Sequence, residues 1–246
     1  MYTKASKHDI AAHFGVSIHA VSNRLRPIAE IRSLSAANCV RYRKMVELLT
    51  PEQAQLVYGS LLGDACLYRQ QRITHFTLKV CFAHGQDQLA YLEHKRSVMG
   101  GSRISQRPDG SNLGKPVYQF AYSNTQGLLS VESIVKRNGV KCVSEQWLQK
   151  LELPGIAYWY QDDASIIRQG GKFSCIRWYT NAFDRNSIQL LVQFLRSFSF
   201  TSVNTLTGNN KPEQRIIVCY GNKAIISFLR KLKPYSVPCL RYKFPV

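Results

Sequence analysis

The chain has 246 residues, 45% of them apolar, and a net charge of +18 from 33 Lys+Arg against 15 Asp+Glu. That length and apolar fraction suit one large core, or two compact domains plus a small module, and argue against wholesale disorder. Such an excess of positive charge points to nucleic acid; no basic amphipathic helix with Trp or Phe opposite favours a membrane surface instead.

No apolar run approaches the ~18 residues a bilayer span needs. The start, MYTKASKHDI, lacks the apolar stretch of a secretory leader and the Arg-rich, acid-free pattern of a transit peptide. The seven cysteines are scattered and none forms a CxxC. They read as buried thiols in a reducing compartment (cytoplasm or nucleoid, with an organelle left open), not as disulfides or a zinc site.

In chain order, HDIAAHFGVSIHAVSNRLR comes first. Ile10, Ala11 and Phe14 fit one face of a short helix, Gly15 suits a left-handed turn, and Ser17 suits the N-cap of a second helix turning Ala20, Val21 and Leu25 inward. The segment is similar to bacterial-type helix-turn-helix modules. That likeness implies a recognition helix facing the major groove with Ser17, Ile18, His19, Ser22, Asn23 and Arg24. Residues 1–50 carry eight Lys+Arg against three Asp+Glu, as a DNA-binding segment would. Pro27 closes the helix or opens a connector with a basic RYRK at 41–44. The module with its linker is assigned to residues 1–45.

Next, TPEQAQLVYGSLLGD has a helix start: Thr50 as N-cap, Pro51 in the first position and Gln53 completing a capping box. The helix is expected to run to Asp64. Gly59 and Gly63 lie one turn apart on one face, each costing ~1 kcal/mol relative to alanine, which predicts that a second helix packs there. Asp64 stands at the helix's negative pole, where a carboxylate is disfavoured without compensation. About a hundred residues on, LPGIAYWYQDDASI repeats the design: Pro154 early, an apolar run, then Asp162 and Asp163 before an alanine. The following segments repeat too. QFAYSNTQGLLSV (119–131) and IVCYGNKAIISFL (217–229) both read as strand, tight turn, apolar helix, so one unit occurs twice.

VYGSLLGDA and IAYWYQDDA, so spaced within a repeated αββαββα pattern on a basic chain, resemble the two motifs of single-chain LAGLIDADG homing endonucleases. The resemblance covers roughly residues 50–246, and LRYKFP (240–245) is similar to the lysine-bearing end of intron-encoded members. It implies an α+β fold of two pseudo-symmetric half-domains, 46–150 and 151–246, with saddle-shaped antiparallel sheets along DNA and the motif helices as their interface. It implies a site-specific endonuclease cutting both strands of double-stranded DNA, as a monomer, with Mg²⁺ or in its place Mn²⁺.

Asp64 and Asp163 are then the metal-holding carboxylates, with the backbone carbonyls of Ala65 and Ala164 as further candidates; Asp162 occupies a small-residue packing position. Two carboxylates at adjacent negative helix ends call for divalent cations, which scissile phosphates can share. The basic residue of each half matches Lys243 and Lys141, with Lys136 as an alternative to Lys141 because Ser144 stands where the family often has proline. Ala164 replaces a common glycine.

The strands carry the expected DNA contacts. In THFTLKVCF, Phe76, Leu78, Val80 and Phe82 point inward, and His75, Thr77 and Lys79 outward. In CIRWYTNAF, Arg177, Tyr179 and Asn181 share a face. The hairpins add Arg69, Arg72, Arg103, Arg107, Arg168, Lys172 and Lys211, a few reading bases and most touching phosphate. Two other functions stay open: an intron RNA maturase sharing this fold, and a transcription regulator joining a helix-turn-helix to a LAGLIDADG domain, which typically lacks the acidic pair.

Overall fold

The structure is a computed structural model describing residues 7–25, 48–71, 73, 76–107, 115–208 and 211–246, with side chains for all of these except 7, 24, 25, 208 and 211–214. The chain forms two compact units, 1–48 and 49–246. In the first, helices α1 (Lys7–Phe14) and α2 (Ile18–Leu25) flank Gly15, whose φ of +61° is the left-handed conformation a tight turn needs. Ser17 Oγ accepts the Ala20 N–H at 3.1 Å, capping α2. Ala11 and Val21 are buried between the helices, but Phe14, placed inward from its spacing, is 58% exposed. The connector and its RYRK lie outside the described residues.

The second unit opens with α3 (Pro51–Leu62). Its capping box is formed: Thr50 Oγ1 accepts from Gln53 N–H at 3.2 Å and Gln53 Oε1 accepts from Thr50 N–H at 3.1 Å. Eight consecutive residues, Gln55 to Leu62, are buried. A helix buried on every side belongs at the centre of a core rather than on its surface. The same holds for α7 (Leu153–Asp163), buried from Gly155 to Gln161. The first helix stops at Leu62, not at Asp64 as its motif suggested, and Gly63 caps it.

Each central helix leads into the same series of elements. After α3 come β1 (Ala65–Gln71), β2 (Phe76–Gly85), α4 (Leu89–Met99), β3 (Ser105–Gln106), β4 (Val117–Ser123) and α5 (Thr125–Val135). A small hairpin of β5 (Lys136–Arg137) and β6 (Val140–Lys141) and a short α6 (Glu145–Gln149) bridge to α7. Then follow β7 (Ala164–Gln169), β8 (Lys172–Tyr179), α8 (Arg185–Arg196), β9 (Ser202–Gly208), β10 (Lys211–Tyr220) and α9 (Asn222–Leu232), with a 3₁₀ turn over Pro238–Lys243.

The sheets have orders β1-β2-β4-β3 and β7-β8-β10-β9, all pairs antiparallel, so the repeat seen in the sequence recurs in the topology. The period-2 reading of β2 agrees with its burial: Leu78, Val80 and Phe82 are fully buried, while Thr77 and Lys79 are partly exposed. One core runs through both halves. Trp159 of α7 packs at a tilt against Trp178 of β8 with centroids 4.1 Å apart, and Trp147 of α6 donates its indole N–H to the Tyr58 carbonyl of α3. Because the two halves share this core, 49–246 is one compact unit.

Candidate active site

The two central helices touch through glycine. A Cβ on Gly59 would lie 2.1 Å from the carbonyl oxygen of Gly155, and one on Gly63 would lie 2.4 Å from the Asp162 Cβ. Real Cβ atoms essentially never come within 3.0 Å, so only glycine lets α3 and α7 approach this closely. Gln55, beside the contact, ties the helices further. Its amide donates to the Lys150 carbonyl at 2.9 Å and its oxygen accepts the Glu152 N–H at 2.9 Å.

The acidic residues gather at the C-terminal feet of these helices. The Asp64 side chain is 38% exposed, yet its carboxyl is pushed up to about 6, first by desolvation and then by the charge of Asp162, against the pull of Lys95, Lys243 and Lys141. The Asp163 carboxyl is pushed up to about 8 by desolvation, then by Asp64 and Asp162, with Lys141 and Lys243 opposing. Both shifts come first from burial and then from the neighbouring carboxylates, with the lysines offsetting part of them.

Lys141 and Lys243 occupy matching places. Lys141 Nζ donates to the Leu61 carbonyl at 3.0 Å, in the last turn of α3. Lys243 Nζ donates to the carbonyls of Gln161, in the last turn of α7, and of Ala164, the latter at 3.2 Å. Each ammonium thus satisfies carbonyls that a helix C-terminus leaves unpaired and places positive charge at its negative pole. This compensates the two aspartates from within the chain. Burial lowers the pKa of both lysines while the neighbouring aspartates raise it. Lys141 also lies over the Phe183 ring of the second half, 4.7 Å from its centroid. Lys136, the alternative, instead faces Glu132 at 3.8 Å, and Ser144 caps α6 where proline was the family's habit. The Ala164 carbonyl already accepts a lysine proton, and both Ala65 and Ala164 are buried.

Asp162 is more than a packing residue. Its side chain is fully buried and paired with fully buried Lys95 of α4 at 2.7 Å. Its Oδ1 also accepts the Tyr91 hydroxyl at 2.7 Å. Lys95 donates further to His84 Nε2 at 3.0 Å. The His84 pKa is lowered to about 3, first by burial and then by Lys95. Lys95, His84 and Tyr91 were missed from the sequence, because the aspartate that joins them lies 67 or more residues further along the chain.

Of the expected DNA contacts, Ser17, His19, Asn23, Arg103, Arg107, Arg168, Lys172, Arg177, Tyr179 and Asn181 are exposed, and Thr77 and Lys79 partly so. Asn181 lies in the turn after β8, not in the strand. Ser165 and Tyr179 share a hydrogen bond of 3.3 Å on that outer face. The Arg69 guanidinium is engaged with Glu132, at 2.7 Å for the shortest pair, and lies over the Phe76 ring, with its side chain half exposed. Arg168 lies over the Phe173 ring. Arg72, His75 and the side chains of Arg24 and Lys211 lie outside the described residues.

Residues 54–220 match the model of the LAGLIDADG DNA endonuclease family. They span about two thirds of the chain, which belongs to that family. The solved structure of the homing endonuclease I-WcaI bound to its DNA recognition sequence superposes with a TM-score of 0.69 at 20% identity, over 87% of this chain and 94% of that one. The fold is therefore shared. Among curated relatives, Protein RecA of Mycobacterium gastri is 26% identical over 80% of this chain but only 48% of its own length, so the chain spans about half of it. The probable intron-encoded endonuclease 1 of Wickerhamomyces canadensis is 22% identical over 82% of this chain and 87% of its own.

Proposed function

We propose that the chain is a site-specific endonuclease that hydrolyses both strands of a double-stranded DNA target with a divalent cation, Mg²⁺ or in its place Mn²⁺. The observation that carries this reading is the paired carboxylates. Asp64 and Asp163 stand at the feet of two helices in backbone contact, both with raised pKa values. The donor set fits a hard cation, since carboxylate oxygens are what Mg²⁺ prefers. When bound, such a cation polarises a phosphoryl oxygen and lowers the pKa of a coordinated water.

The chain's own residues do the rest. Asp64 and Asp163 offer one carboxylate each from opposite halves, so each half serves one strand. Lys141 and Lys243 hold positive charge beside them, pinned by the helix carbonyls, where charge develops on a reacting phosphate. Exposed Arg103, Arg107, Arg177 and Lys172 set the register on phosphates and bases. Helices α1 and α2 act as a helix-turn-helix extension of the contact, and the enzyme works as a monomer because both half-sites are in one chain.

Incubating the protein with Mg²⁺ and a library of duplex sites should yield a cut sequence. Asp64→Asn and Asp163→Asn should each abolish double-strand cleavage of it while leaving binding nearly intact. Full cutting by either variant removes that aspartate from the reaction. A maturase reading has one specific support: the cytochrome b mRNA maturase bI2 of Debaryomyces hansenii is 23% identical over 83% of this chain and 79% of its own length. Splicing assistance without any DNA cleavage would favour it.

A further inference from the structure

The outer helices of the two halves carry very different charge. The exposed charges of α4 and α5 are Glu93 and Arg96, which cancel. Helices α8 and α9, their counterparts in the repeat, expose Arg185, Arg196, Lys223, Arg230 and Lys231 and no acid. From Arg185 to Val246 the sequence holds ten Lys+Arg and one acid, Glu213, whose side chain lies outside the described residues. A groove of about 570 Å³ runs between α8 and the edge of the sheet formed by β9 and β10. Arg185, Arg196 and Arg215 line it, with Gln189, Gln193 and Asn204. None of the three arginines forms an ion pair among the described residues. Arg185 and Arg196 lie eleven residues apart on one face of α8, which sets them about 16 Å apart along its axis.

The groove opens on the other side of the sheet from the expected duplex. In the β8–β10 register Arg177 is opposite Val218, Trp178 opposite Ile217 and Tyr179 opposite Ile216. Side chains alternate between faces along a strand. Arg215, two residues before Ile217, therefore shares the face of Trp178, where Phe228 of α9 packs with ring centroids 6.2 Å apart. Arg177 and Tyr179 share the opposite face, so a duplex lying against them has the sheet between it and the groove. The lining selects the ligand. Guanidinium forks match phosphate oxygens, and amide side chains hold a nucleic-acid backbone without reading its bases. Among the described residues no aromatic ring lines the groove, so it lacks the stacking platform on which single strands are held. The spacing of about 16 Å along α8 covers about five duplex steps of 3.4 Å. We propose that this groove and the exposed face of α9 bind the phosphate backbone of a second DNA duplex, so that one chain holds two duplexes, one on each side of its second sheet. A chain so built passes from one duplex to another without leaving DNA. The proposal rests on the reading that the duplex to be cut lies along Arg177 and Tyr179.

The test mixes the metal-free protein with two short random-sequence duplexes, one carrying a donor dye and the other an acceptor. Energy transfer is expected, and sedimentation should find one chain to two duplexes. Arg185→Gln, Arg196→Gln and Arg215→Gln together should abolish the transfer and lower the salt slope for the second duplex by about 2.7, at ~0.9 for each lost contact. The first duplex should bind, and the site selected from the library be cut, as before. Lysine at the same three positions keeps the charge and should keep most of the transfer. No transfer with the unaltered protein, two chains in the bridged species, or normal bridging by the triple Gln variant overturns the second surface. An RNA duplex that takes the second place where DNA does not assigns the surface to RNA and overturns it too. Arg177→Glu separates the two readings, because it should weaken the first duplex alone. If it changes nothing while the triple Gln variant loses all duplex binding, the sheet-face reading fails and the groove is the first surface, not a second.

Discussion

Gly59→Ala adds one methyl group at the point where the central helices meet, and the structure leaves it no room. The new Cβ would sit 2.1 Å from the Gly155 carbonyl oxygen and 2.8 Å from its carbonyl carbon, both backbone atoms that cannot swing aside. Ordinary contact begins near 3.4 Å, so α3 and α7 must part there by about 1.3 Å. Overpacking of this kind typically costs about 1–3 kcal/mol. For a chain of this size that lowers Tm by roughly 2–12 °C. The same parting shifts Asp64 against Asp163, and a 1 Å misplacement can cost about 100-fold in rate. DNA binding, spread over the sheets, should change far less. Gly85→Ala is the control, because nothing lies within 4 Å of a Cβ there. Thermal unfolding and single-turnover cleavage on both variants check the expectation. If Gly59→Ala matches Gly85→Ala in Tm and the unaltered protein in rate, the backbone contact does not set the site.

The raised carboxyls make cation binding pH-dependent. With Asp163 at about 8 and Asp64 at about 6, binding a divalent cation at pH 7 should release about one proton. Calorimetry in two buffers of different ionisation heat measures this, and absence of release refutes the raised carboxyls. Without the cation, both groups hold protons that the unfolded chain, at 3.8, gives up. Stability should therefore fall as pH rises from about 4 through about 8, and a flat pH–Tm profile contradicts it. Arg69→Ala should lower Tm by leaving Glu132 only its longer pair with Lys136 and leave the salt dependence of DNA binding unchanged; a shallower salt slope would return Arg69 to the DNA-contact set. A chain starting at Arg43 should still fold and cut, yet bind with a salt slope reduced by ~0.9 for each lost phosphate contact. An unchanged slope and footprint mean that α1 and α2 do not touch this DNA.

The parts of the site that were legible in the sequence are those written locally. Thr50, Pro51 and Gln53 announce a helix start within four residues, and Gly59 and Gly63 announce a close neighbour by their spacing alone. Asp64, Asp163, Lys141 and Lys243 came from the motif copies and the chain's basic end. What stayed hidden depends on partners distant in sequence. Lys95 looks like a solvated helix lysine until Asp162, 67 residues later, is seen beside it. Arg69 looked like a free hairpin arginine until Glu132 took its guanidinium from 63 residues away. Gly155 hid beside Pro154, its contact with Gly59 visible only once the two helices are placed together. Phe14 erred the other way: helical spacing set it inward, but two eight-residue helices have too little inner face to cover it.

The Lys95–Asp162 pair bears on how such a chain can be recombined. The lysine belongs to the first half and the aspartate to the second. A hybrid that grafts one half onto a foreign partner would carry a buried charge with no counter-charge, a defect that typically costs about 3–5 kcal/mol. The halves share one plan, but this pair makes them complementary, so they are best exchanged as matched sets.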